Sequence, residues 1–161
     1  GYDRVVLRKS ETVIGLAEAE EITIWEAHNE GVMSKHIWAP EIHYIGGKWY
    51  IFFAAGEKEA IWNIRPFVLM CQGQDPVNDQ WVEMGKMQAC EGDNRSFTEF
   101  SLDMTYFENN GKQYQRTWSD EFTLIQQPSG IEYCEAVDVL PTKWNYIESS
   151  TLRDVLNEEQ S

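Results

Sequence analysis

The chain has 161 residues, 42% hydrophobic and 25% charged, which is enough for one domain with a core and is not the composition of a disordered segment. Its 27 acids against 13 Lys and Arg give a formal net charge of −14, which speaks against a phosphate-tracking nucleic-acid surface. No apolar run approaches the ~20 residues needed to cross a bilayer, so neither nucleic acid nor membrane is expected as a partner.

In chain order, strand signals fall at 4–8, 22–25, 42–45, 48–54, 67–71, 80–84, 104–107, 112–118 and 122–126, each short and bounded by turn residues. That spacing fits an all-β sandwich, barrel or propeller. Helical patterning is clear only at the end, where Ser150 or Thr151 caps a short helix with Leu152, Val155 and Leu156 on one face. Residues 1–118 therefore read as β structure, and 119–161 as a diverged tail with a short terminal helix. The first residue is Gly1 rather than Met and no signal peptide is visible, so the compartment is left open.

Gly46-Gly47 and Asn110-Gly111 both suit tight hairpins, because Gly and Asn reach positive φ at little cost. The two hairpins also resemble each other. APEIHYI at 39–45 parallels SLDMTYF at 101–107, and both continue through a turn into Gly-Lys-x-Tyr. In this alignment Glu41 and Asp103 occupy the same place in each unit. Repetition of multi-stranded units is the sequence signature of radial folds, where the first strand of each blade runs beside a common axis. Acids at one end of such strands converge on one pocket.

Paired carboxylates in a pocket suit glycoside cleavage, in which one protonates the leaving oxygen and another activates water or attacks; a third can hold the donor's pKa up by like-charge repulsion. Against that stands a bland role for Glu41 as a turn cap or a partner of Lys35. Among the three histidines His28, His36 and His43, His36 suits a hydrogen-bonding pocket wall better than a metal ligand. Cys71, Cys90 and Cys134, without CxxC or His-rich spacing, read as free thiols. No metal and no cofactor is expected. The 13% aromatic content suits either a packed β core or a surface that stacks on sugar rings.

HIWAPEIHYIGGKWYIFFAAG, IWNIRPFVLMCQG, WVEMGKM and FSLDMTYFENNGKQY together resemble glycoside hydrolase family 43, over about residues 2–114. The resemblance implies a five-bladed β-propeller that hydrolyses arabinofuranosyl or xylosyl linkages with inversion, here present as about two to three blades. It places Asp103 on the acid that modulates the proton donor's pKa. It puts Trp38, with His36, Glu41 and Phe100, on the wall of the sugar site, and Glu41 outside the family's three catalytic acids.

The general base and the proton donor find no match. Asp75-Pro76 is an Asp-Pro dipeptide like that of the base, but it sits in a turn between strands, and Glu132 and Glu135 stand in the wrong context for the donor. From Gln115 onward the family pattern is lost. The chain is therefore expected to be incomplete and inactive alone, to bind arabinose- or xylose-containing oligosaccharides, and to self-associate through open sheet edges. The competing reading is a non-catalytic carbohydrate-binding or interaction module built from the same blades.

Overall fold

The computed structural model describes residues 2–120, 131–136 and 143–147. The strand expected at 122–126 and the terminal helix lie outside these residues. The first sheet pairs β1 (Arg4–Leu7) with β2 (Ile22–Glu26), with a short 3₁₀ turn at Ile14–Ala17 between them. The second is an antiparallel meander of β3 (Lys35–Ile45), β4 (Lys48–Gly56), β5 (Arg65–Cys71) and β6 (Trp81–Lys86), in that spatial order. The third runs β7-β11-β10-β9-β8, from β7 (Gln88–Ala89), β8 (Phe100–Asn109), β9 (Lys112–Asp120), β10 (Ile131–Ala136) and β11 (Lys143–Ile147), with β7 parallel to β11. Sequence patterning anticipates neither β10 nor β11, although both extend the sheet begun by β8 and β9.

The central strands explain how the sheets stack. Along β4, Ile51, Phe53 and Ala55 face the first sheet and join Val5, Ile37, Phe67, Leu69, Cys71 and Trp81 in one core. Tyr50 and Phe52 face the other way and join Ile45, Val68, Met87, Phe97 and Met104 in a second core against the third sheet. A strand buried on both faces has no solvent side, which is why KWYIFFAAG reads as a continuous apolar run rather than an alternation. Each fully covered Phe or Ile contributes about 1.5–3 kcal/mol relative to exposure.

The two matched hairpins therefore lie in different sheets, face to face. The first strand of each, β3 and β8, occupies an edge of its own sheet, and β8 packs against β3, β4 and β5. Antiparallel meanders stacked in this way, meeting along their first strands, are the blades of a partial β-propeller. Among the described residues no helix is long and apolar enough to cross a membrane, and no cluster of His, Cys, Asp and Glu is suited to a metal ion.

Candidate functional site

The sugar-site residues expected on β3 lie where that strand is least regular. Its register against β4 slips between Lys35 and Trp38 and again between Trp38 and Glu41. Each slip inserts one extra residue and carries a left-handed backbone, at His36 (φ 53°) and Ala39 (φ 45°). Pro40 follows the second bulge. Lacking an N–H, it is tolerated because β3 is an edge strand. The opening residues of β3 are thus turned away from simple in-out alternation. The His36 ring lies 4.6 Å from Trp38 and stacks on Trp62 at 5.6 Å with a 15° interplanar angle, making a row of three rings.

The same device recurs in β8. Its register against β9 slips between Leu102 and Thr105, and the residue with positive φ is Asp103 (φ 52°). A bulge at this point re-aims a side chain and bends the strand, and Asp is among the few residues that tolerate the left-handed region. The Asp103 residue is exposed, between the buried Ser101 and Met104.

This register corrects the pairing of acids drawn from the sequence. Both hairpins close through two-residue turns, so Ile45 corresponds to Asn109 and Glu41 to Thr105. The counterpart of Asp103 in the second sheet is Ala39, at the equivalent bulge. APE and SLD are alike in composition but two residues out of register, and the offset is shared by the whole hairpin rather than added in the turn.

Glu41 lies beyond the bulges, part-exposed, with Oε2 3.0 Å from Nε2 of His43. His43 in turn sits edge-on to Tyr106 of β8 at 5.4 Å and tilted against Phe52 at 5.8 Å. Glu41 is therefore held at the seam between the two blades. Tyr106 is pushed well above the ordinary tyrosine range by burial and then by the adjacent Glu108, to which its hydroxyl donates, so it stays a neutral phenol.

The loop 57–64 joins these two parts. Ser101 N–H donates to the Ile64 carbonyl at 3.2 Å, and Arg65 donates to the Thr98 carbonyl at 2.6 Å. Trp62 and His36 on one side and Asp103 on the other are thereby fixed at the same end of β3 and β8. Phe100, half-buried, opens β8 opposite Asp120.

Asp75 serves another purpose. Its carboxylate accepts from Val77 N–H at 3.0 Å and from the Asn78 amide at 2.7 Å, closing the β5–β6 turn. The Asn78 bond first, then the Val77 bond, hold its carboxyl below the ordinary range. Asp75-Pro76 is a turn-forming pair.

Sequence reasoning gave no place beside the expected site residues to Tyr106 and Trp62, and weighed His43 only as one of three histidines. The signal for His43 was period-two spacing from Glu41, which puts both on one strand face. Trp62 carries no pattern of its own, because its position depends on how the loop folds back over Gly56.

Residues 1–139 match the family model for Glycosyl hydrolases family 43. Over 113 residues the chain is 47% identical to the extracellular exo-alpha-(1->5)-L-arabinofuranosidases of Streptomyces avermitilis and Streptomyces chartreusis, covering 70% of this chain in each case. The match spans 22% of the first relative and 33% of the second. The crystal structure of alpha-L-arabinofuranosidase from Lactobacillus brevis superposes with a TM-score of 0.75 at 33% sequence identity, covering 89% of this chain and 44% of that one. With the two blades, the repeated bulge and a match over most of its length, the chain belongs to glycosyl hydrolase family 43.

Proposed function

We propose that the chain supplies one side of an arabinofuranosyl pocket in an inverting glycoside hydrolase acting on plant cell-wall polysaccharide. In this reading Trp38, His36, Glu41 and Phe100 line the sugar site. Asp103 stands beside a proton-donating carboxyl and keeps that donor's pKa up by like-charge repulsion. Inversion needs a base and an acid about 6.5–9.5 Å apart across the sugar, with a water between the base and the anomeric carbon. Neither partner is assigned to a residue of this chain.

The observation that carries the proposal is the bulge at Asp103, which releases one carboxylate from strand alternation at the same end as the Trp38–His36–Trp62 row. The names of the Streptomyces relatives support arabinofuranosyl over xylosyl linkages and a polymer met outside the cell. Without an assigned base and donor, the 161 residues alone are expected not to turn over nitrophenyl α-L-arabinofuranoside. Hydrolysis by this chain that survives Asp103→Asn contradicts the role given to Asp103. Binding of arabinan oligomers without cleavage, lost in Trp38→Ala, favours the non-catalytic module; the missing catalytic motifs are the feature in its favour.

A further inference from the structure

We propose that Trp62 is the stacking platform of an outer subsite, taking the neutral pentofuranosyl unit next to the one held beside Asp103; this rests on the arabinofuranosyl pocket proposed above. Trp62 is 65% exposed, although an indole left in water forfeits most of its burial free energy. It is also held in place. Its ring lies nearly parallel to His36, and His36 leans on Trp38, so Trp62 continues the aromatic row outward from the pocket wall.

The loop carrying it is a fixed support. Ala60 N–H donates to the Glu57 carbonyl at 3.3 Å, Asn63 N–H to the Ala60 carbonyl at 2.8 Å, and the Asn63 amide to the Glu57 carboxylate at 2.9 Å. Ile64, two residues after Trp62, accepts the Ser101 N–H, two residues before Asp103. Gly56 makes the fold-back feasible. A Cβ there would lie 2.9 Å from the Ile61 carbonyl oxygen and 3.6 Å from Cδ2 of His36. A larger residue would push the loop, and with it the indole, off the histidine.

A rigid, flat, exposed ring continuous with a sugar-site wall suits the C–H face of a second sugar ring, with little ordering cost on binding. One stacked ring is worth about two- to tenfold in affinity.

The test titrates the full chain with arabinose, α-1,5-arabinobiose and α-1,5-arabinotriose, followed by calorimetry, in wild type, Trp62→Ala, Trp62→Phe and Gly56→Ala. Wild type is expected to gain affinity from arabinose to the oligomers. Trp62→Ala should remove about two- to tenfold of that gain while arabinose binding falls far less. Trp62→Phe should keep most of the gain, and Gly56→Ala should behave like Trp62→Ala. A gain that persists in Trp62→Ala overturns the platform, as does a loss equal for all three sugars. If wild type binds none of the sugars, the pocket reading falls and the platform with it; if wild type binds and Trp62→Ala matches it, the platform alone falls.

Discussion

Asp103 sits at a bulge with a left-handed backbone, a conformation that few residues other than glycine adopt readily. A left-handed φ costs an L-residue about 1–2 kcal/mol, less for Asp, and such strain concentrates at sites where a side chain must be aimed. Replacing it with glycine removes the penalty while adding chain entropy to the unfolded state. We therefore expect Asp103→Gly to unfold in urea at or above the wild-type midpoint, by up to ~1 kcal/mol, while losing sugar binding. A clear loss of stability would mean that the carboxylate holds the fold. SLDMTYF marks this acid as a candidate in the sequence, but its backbone geometry was not legible there. A bulge is set by how two strands pair, and neither strand alone carries that information. For the same reason Glu41 looked like its counterpart when Ala39 is.

Among the elements, hairpins and buried strands were the most readable, because Gly-Gly and Asn-Gly turns and the apolar run of β4 are local signals. β10 and β11 were not, since no Gly-Gly or Asn-Gly pair joins them to their neighbours and β11 also pairs in parallel with β7, far back in the chain. The β5–β6 turn shows how a connection is specified by packing. A Cβ on Gly73 would fall 2.0 Å from Oδ2 of Asp79, which is itself tied at 2.8 Å to the Asp75 N–H. Gly73→Ala must displace that carboxylate, and we expect a destabilisation of about 1–3 kcal/mol by denaturant unfolding. A change below ~0.5 kcal/mol would show that Asp79 moves aside freely.

At the scale of the whole molecule, two stacked blades bury both faces of the second sheet, yet among the described residues no further strand pairs with the edges at β3, β6, β7 and β8. Such edges invite pairing with another copy, so sedimentation of the 18.7 kDa chain should show a mass that rises with concentration. A single monomeric species at all concentrations would contradict this. The account as a whole rests on β3 and β8 bringing Trp38, Trp62 and Asp103 to one end of the blades. Three other tryptophans provide internal controls: Trp25 donates to Glu83, Trp49 to the Gln74 carbonyl and Trp81 to the Pro76 carbonyl. The most direct measurement follows the assigned indole N–H signals by NMR while arabinotriose is added. The structure predicts that Trp38 and Trp62 shift together and saturate at one ligand concentration, while Trp25, Trp49 and Trp81 stay still. Shifts confined to Trp25, Trp49 or Trp81, or Trp38 and Trp62 unmoved at saturation, would contradict it.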